Sequence, residues 1–351
     1  MSAAGDGRLP RVFHIHLGDK GGAENFFVRL VQAFDKAGVS QMALTRKDRV
    51  WHPEIEPHLE LLTSDFSSSH IKRYLGRRRI RAKVTAFGAD IVMAWMAPAA
   101  RWAPNDLAGT VPIVRLGDFP DKMEPLWNCR HIVGNTPEII RQCVAQGWPE
   151  ERGHVVSNFV DPSNAKAMTR AELGVADDSY LVVGLGRFVE RKGFRYLLEA
   201  VAKAPDTSLI LLGDGPLKGE FEEFISEHGL QDRVKLLGWM NEPQQAVLAA
   251  DCLCCPSLSE PLGNVVLEGW ACGVPVIAAR AEGPSWLIED GENGLLFDKS
   301  DTASLVEALH RVRQSGAAEK LAAKGRETLH RSYSRQAIVS QYLDLFERIS
   351  R

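Results

Sequence analysis

No window in these 351 residues approaches the ~18 consecutive apolar residues that a membrane-spanning helix needs. The opening stretch MSAAGDGRLPRVFHIHLG lacks the charged segment followed by an apolar run that marks a secretory signal. The expectation is a cytoplasmic protein. Cysteine is sparse: the cysteines are Cys129, Cys143, Cys252, Cys254, Cys255 and Cys272, and three of them sit in CLCC, which reads as a buried strand. Small core residues are expected there rather than metal ligands. G-x-S-x-G, G-x-x-x-x-G-K-[ST] and H-E-x-x-H do not occur, which removes the nucleophile elbow, the P-loop and the zincin helix. Gly184 and Gly186 begin a G-x-G-x-x-G pattern that fails at Val189. A formal net charge of -3 gives no general attraction to nucleic acid, and no metal is expected.

What is present is the composition of a soluble globular protein, with 45% hydrophobic and 25% charged residues. The length fits two domains. Short β-like runs alternate with helical patterns throughout, which predicts parallel sheets covered by helices. The first set is RVFHIHLG, QMALTR, DIVMAW, PIVRLG, HIVGN and HVVSN; the second is YLVVGLGR, LILLGDG, VKLLGW, DCLCCPS, PVIAA and GLLF. The predicted fold class is α/β, with two Rossmann-like doubly wound parallel-sheet domains. Polar, Pro-containing sequence in SNFVDPSNAKAMTRAELG marks the boundary, giving domains over 1-160 and 161-333 and a last helix over 334-351 that crosses back to the first. Ligands of such sheets bind beyond the carboxyl ends of the strands, so two facing sheets predict an interdomain cleft.

Three stretches carry chemistry. After CLCCPS come Glu260, a Pro-Leu-Gly turn and the helical pattern GNVVLEGWACG, a design that leaves the N–H groups of Leu262, Gly263 and Asn264 to hold an anion. Glu260 and Glu268 flank that turn; ionised carboxylates accept hydrogen bonds, which suits sugar hydroxyls and not phosphate. An alternative is that Glu260 caps the helix and Glu268 is a solvated surface residue. In VVGLGRFVERKGFRYLLEAV, Arg187 and Lys192 follow a strand, as a planar fork and a point charge suited to a diphosphate or as two solvated cations. In HLGDKGGAENFFVRL, Gly21 and Gly22 permit close approach of backbone to a ligand or make a tight turn with Glu24 in the first helical turn. His14 and His16 alternate on one strand and point the same way, as core or cleft-edge histidines. GDGP at Gly213 to Pro216 reads as a turn after a strand.

HIKRYLGRRRIRAKVTAFGAD concentrates positive charge at Lys72, Arg73, Arg77, Arg78, Arg79, Arg81 and Lys83. As a helix it places Ile71, Tyr74, Leu75, Arg78 and Ala82 on one stripe. Such a segment suits either a solvated face or peripheral contact with an anionic membrane, at ~1 kcal/mol per basic residue near the surface.

From Asn158 to Phe297 the order SNFVDP, GLGRFVERKG, LLGDGP, VKLLGW, PSLSEPLGNVVLEGWACGVPVIA and DGENGLLF resembles the retaining glycosyltransferases of family 4, which have the GT-B architecture. The N-terminal half matches at GGAE and GNTPEIIRQ. The resemblance implies a nucleotide-diphospho-sugar donor used as substrate, no cofactor, and a glycan or glycolipid acceptor in cell-surface polysaccharide or lipopolysaccharide assembly. It assigns Arg187 and Lys192 to the diphosphate, Glu260 to the sugar hydroxyls and Glu268 to the ribose. The rest of the implied donor set is Gly21, Gly22, Gly186, Trp239, Met240, Leu262, Gly263 and Asn264, with Trp239 and Met240 bordering the base. Many relatives carry a His after the strand that corresponds to PIVRLGDFPD; the nearest polar group here is Asp118, the candidate for touching sugar or acceptor. Trp286 replaces a common Glu. The same fold also carries nucleotide-sugar epimerases and phosphorylases, and a non-catalytic nucleotide-sugar sensor is a further alternative.

Overall fold

The computed structural model describes residues 8–66 and 70–350, and side chains except those of residues 70–73. The chain forms two compact units. One runs through Asn158 and takes in the segment from Arg335 onward; the other is Phe159–Ser334.

The first unit holds β1 (Val12–His16), α1 (Gly22–Lys36), β2 (Gln41–Thr45), α2 (His52–Ile55), β3 (Glu60–Thr63) and α3 (His70–Phe87). It continues with β4 (Ile91–Trp95), α4 (Met96–Ala100), β5 (Val111–Leu116), β6 (His131–Gly134), α5 (Pro137–Ala145) and β7 (Gly153–Val155). The sheet order is β3-β2-β1-β4-β5-β6-β7, and all pairs are parallel. Strands β1, β4 and β5 are buried at every position because helices cover both faces, which is why they read as unbroken apolar runs. Edge strand β3 was not expected. Its sequence ELLT is four residues long and half-exposed, too short and too polar at its ends to signal a strand without its partner β2.

On α1, Phe26, Phe27, Leu30, Val31 and Phe34 recur at helical spacing and are buried. Burial of each contributes roughly 2 kcal/mol. In the second unit follow α6 (Arg170–Leu173), β8 (Tyr180–Leu185), α7 (Phe194–Ala202), β9 (Thr207–Leu212), α8 (Lys218–Glu227) and β10 (Val234–Gly238). Then come α9 (Gln244–Val247), β11 (Cys252–Cys255), α10 (Asn264–Cys272), β12 (Val276–Ala279), α11 (Glu282–Leu287), β13 (Leu295–Phe297), α12 (Thr302–Val312) and α13 (Ala317–Ser332). The chain closes with α14 (Arg335–Ser350), which belongs to the first unit: Phe34 of α1 meets Tyr342 and Phe346 at ring separations of 5.6 and 6.0 Å.

The second sheet has the order β10-β9-β8-β11-β12-β13, again parallel. In both sheets chain direction of travel reverses beside the first strand, between β1 and β4 and between β8 and β11, the places where doubly wound sheets accept ligands. The thiols of β11 are buried, and burial pushes Cys252 up to about 12 and Cys255 up to about 11.

His14 and His16 share one side of β1. The His14 ring accepts a hydrogen bond at Nδ1 from Trp95 Nε1 (3.2 Å) and bonds Gln41 Oε1 through Nε2 (3.1 Å); Gln41 Nε2 donates to Val31 O (2.9 Å). These partners fix the Nε2–H tautomer. Burial lowers the pKa of His14 to about 4. His16 packs against Phe27, Trp51 and Trp95 at 4.7, 5.3 and 5.7 Å, and burial, then the charges of His14, Arg49 and Arg115, lower it to about 3. Both are neutral core residues.

Among the described side chains of α3 the buried positions are Ile80 and Val84, while Tyr74, Leu75, Arg78 and Ala82 face outward. The stripe read from the sequence is therefore the exposed face, because Ile80 and Val84 offer a better apolar pair to the sheet. Ile71, Lys72 and Arg73 fall outside the described side chains.

Candidate active site

At the carboxyl ends of β8 and β11, two loops are tied together. The loop after β8 carries Gly186, Arg187 and Lys192; the loop after β11 carries Ser257 and Glu260. Leu258 donates its N–H to Arg191 O at 2.8 Å. Gly193 sits between the loops at φ 64°, and a Cβ there would lie 2.1 Å from Pro256 O, so no other residue allows this approach.

Lys192 Nζ and Glu260 Oε2 form an ion pair, with side chains 14% and 12% exposed. Ser257 Oγ donates to the same carboxylate oxygen at 3.1 Å. Behind Glu260, its own N–H donates to Glu282 Oε2 at 3.2 Å, and Gly283 N–H donates to Glu260 O at 2.8 Å. Burial pushes the Glu282 carboxyl up, but its own N–H, that of Glu260 and the Lys299 ammonium at 3.5 Å outweigh burial and hold it below the usual range. The Glu260 backbone is thus gripped from one side while its side chain holds Lys192.

Helix α10 begins just beyond, with Gly263 at φ 87° as its N-cap and no side chain capping it. Its first turn presents backbone N–H groups and the positive end of the helix dipole. Leu262 is buried in the core, Asn264 is half-buried, and Glu268 is half-buried one turn further along. Arg187 is exposed and makes no ion pair among the described residues. The structure therefore gathers Gly186, Arg187, Lys192, Glu260, Leu262, Gly263, Asn264 and Glu268 on two loops and one helix of a single unit. An anion with two or more charges fits the cations and helix end, and hydroxyl groups fit the carboxylates.

The turn GDGP has a larger part than its sequence conveys. Gly213, at φ 142°, would place a Cβ 2.0 Å from Gly186 O, and Phe188 N–H donates to Asp214 O at 2.9 Å. GDGP is the floor under the Arg187 loop, and the signal was its pair of glycines directly after a strand. Ser257 and Glu282 were also missed; neither belongs to a pattern that announces its carboxylate or amide partner.

The remaining sequence candidates are carried by other segments of the chain. Trp239 and Met240 follow β10, two strands from β8; Trp239 is 69% exposed, whereas Met240 packs half-buried against the apolar core. Gly21, at φ 147°, caps α1, and Gly22 is its first residue, both in the first unit. Asp118 follows β5, its Oδ1 accepting the Phe119 N–H at 2.9 Å. Arg77 donates to Asn128 Oδ1 at 3.4 Å, Arg81 pairs with Asp106, and Arg78 and Arg79 are exposed. Among the described residues, no helix is long and apolar enough to cross a membrane.

Two doubly wound parallel-sheet units, one with cations, carboxylates and an uncapped helix start gathered at its switch point, define the class of fold. The model of the family "Glycosyl transferases group 1" matches residues 166–328, and the chain belongs to that family: it is a glycosyltransferase of the GT-B fold. It is 40% identical over 339 residues to the lipopolysaccharide core biosynthesis glycosyltransferase LpsD of Rhizobium meliloti (strain 1021), covering 96% of this chain and 98% of LpsD. Identity to LpsE of the same organism, also a lipopolysaccharide core biosynthesis glycosyltransferase, is 39% over 336 residues, covering 95% and 98%. The crystal structure of Anabaena Alr3699/HepE in complex with UDP has the same fold, with a TM-score of 0.83, 22% identity and coverage of 96% of this chain and 100% of that one.

Proposed function

We propose that this enzyme is a retaining, metal-independent family 4 glycosyltransferase. It moves a sugar from a nucleotide-diphospho-sugar to a glycan or glycolipid acceptor in lipopolysaccharide core assembly. The observation that carries the reading is the Lys192–Glu260 pair with Arg187 and the uncapped start of α10, all at the switch point of one sheet. Near-full-length similarity to LpsD and LpsE supports the core-assembly role.

In this reading Lys192, Arg187 and the α10 N–H groups bind the diphosphate and stabilise its charge as the glycosidic bond breaks. Glu260 accepts hydrogen bonds from the donor sugar's hydroxyls, and Glu268 from the ribose. The acceptor attacks from the face the diphosphate leaves, and a leaving phosphate oxygen takes its proton, so the configuration is kept. These two cations and the helix end supply the positive charge that a metal ion would otherwise bring. The exposed Tyr74, Leu75, Arg78 and Arg79 of α3 support peripheral contact with an anionic membrane from the cytoplasmic side.

The test is transfer from a nucleotide-sugar to a purified core oligosaccharide in excess EDTA, with the product's anomeric configuration read by NMR. Retained configuration with full rate is expected. An inverted product, or activity that returns only with added metal, would overturn the corresponding part.

A further inference from the structure

A cavity lies at the carboxyl ends of β1 and β4 in the first unit, the place in that sheet equivalent to the ends of β8 and β11 in the second. Its volume is about 410 Å³, within the range of small-molecule sites. The walls come from the segments that leave β1, β2, β4 and β5, including Leu17, Arg46, Pro98 and Lys122. Phe66 and Trp102 are among its apolar walls; both are buried and meet edge-on at 5.1 Å.

Two features set this cavity apart. The first is charge. Among the described residues, Arg46, Arg101 and Lys122 line it, all exposed, against a single carboxylate, Asp121. Neighbouring Lys47 and Arg49 are paired with Asp65 and Asp19 at 3.5 and 3.3 Å, yet none of the three cavity cations makes an ion pair among the described residues. The second is strain. Four described non-glycine residues have positive φ, and two of them border this cavity: Phe66 at 43°, and Met96 at 64°, directly before the lining residues Ala97 and Pro98. Such conformations persist where surrounding packing holds them, and they cluster at ligand sites.

We infer that this cavity is the acceptor subsite and that it reads a negatively charged sugar, with a phosphate or carboxylate group set against Arg46, Arg101 and Lys122. The apolar walls suit the C–H faces of a pyranose ring, and the three cations suit one anionic substituent on it. This rests on the glycosyltransferase reading for the word acceptor, but not for the binding itself. The substrate class follows: the preferred acceptor terminus is an acidic or phosphorylated sugar, and a neutral terminus is used poorly. The reaction that supplies this substrate adds an acidic sugar or phosphorylates one.

Ligand-observed NMR titration of the full chain with glucose, glucuronate and glucose 6-phosphate, without nucleotide, tests the inference. At least one of the two anions is expected to bind about tenfold more tightly than glucose, and the two anionic arms tell carboxylate from phosphate. Because the cations are exposed, Arg46→Ala, Arg101→Ala and Lys122→Ala should fold normally and each weaken the anion by about fivefold, with Arg101→Lys partly restoring it. Equal binding of glucose and both anions, binding of none of them, or no loss in the triple variant would overturn the proposal. Titration of the same samples with UDP and GDP separates the readings. Unchanged nucleotide binding in the triple variant localises the loss to this cavity, and absence of nucleotide binding in the wild type counts against the donor site instead.

Discussion

Replacing Glu260 by Gln should tighten nucleoside diphosphate binding while abolishing sugar transfer. Without ligand, Lys192 is neutralised by the Glu260 carboxylate, with both side chains largely buried. A diphosphate that takes Lys192 as its partner must share it with that carboxylate. Two anions each within ~2.8 Å of one ammonium lie about 5 Å apart, and at an effective dielectric constant of about 20 they repel by roughly 3 kcal/mol. Mobile ions and water entering the open site cut this to about 1.5 kcal/mol, or roughly tenfold in affinity. The Glu260→Gln protein should therefore bind UDP or GDP, whichever the wild type binds, about tenfold more tightly by calorimetry. Its transfer rate should fall by about two orders of magnitude, because an amide no longer accepts strongly from the donor hydroxyls. The free variant should be less stable by up to about 3 kcal/mol, since Lys192 loses its partner, and saturating nucleotide should close most of that gap. Unchanged or weaker nucleotide binding would refute the competition for Lys192 on which the site assignment depends.

Three other outcomes follow from the geometry. Gly193→Ala forces a left-handed conformation and a contact 2.1 Å from Pro256 O, so it should cost at least about 2 kcal/mol by chemical denaturation and weaken nucleotide binding. His14 and His16 have folded pKa values lowered to about 4 and about 3 from 6.5, so the unfolded chain binds more protons between those limits. Stability is full above pH 6.5 and falls as pH drops towards 4 and 3, by up to ~1.4 kcal/mol per pH unit per histidine, and His14→Asn should flatten that slope in a pH series of unfolding curves. Charge reversal at Arg78 and Arg79 should reduce sedimentation with anionic vesicles by about an order of magnitude, and unchanged binding would remove α3 as a membrane contact.

Strands of parallel sheets are legible because burial on both faces leaves an unbroken apolar run. Strands β1, β4, β5, β11, β12 and β13 are buried at every position and announce themselves this way, whereas β7 and β10 are partly exposed edge strands marked only as short β-like runs between helical patterns. Strand β3 did not, since its four residues gain strand character from pairing with β2 rather than from their own pattern. At the site, strand-glycine-helix punctuation around Arg187 and Gly263 marked both loops. That Lys192 would reach across to Glu260, 68 residues away, required the order of β8 and β11 in the sheet, which spacing along the chain does not encode. The carboxylate of Glu282 beneath Glu260 was hidden for the same reason. The apolar stripe on α3 misled because the helix has few apolar residues, and its face is chosen by Ile80 and Val84 fitting the sheet rather than by a clean period.

The most direct test of the central claim is calorimetric titration of the wild-type protein with UDP, GDP, ADP and CMP in EDTA, alongside Arg187→Ala and Lys192→Ala. One nucleotide should bind the wild type without metal, and each alanine variant should weaken it by at least tenfold. Wild-type binding that survives both substitutions unchanged, or no binding of any nucleotide, would contradict a diphosphate site at the ends of β8 and β11.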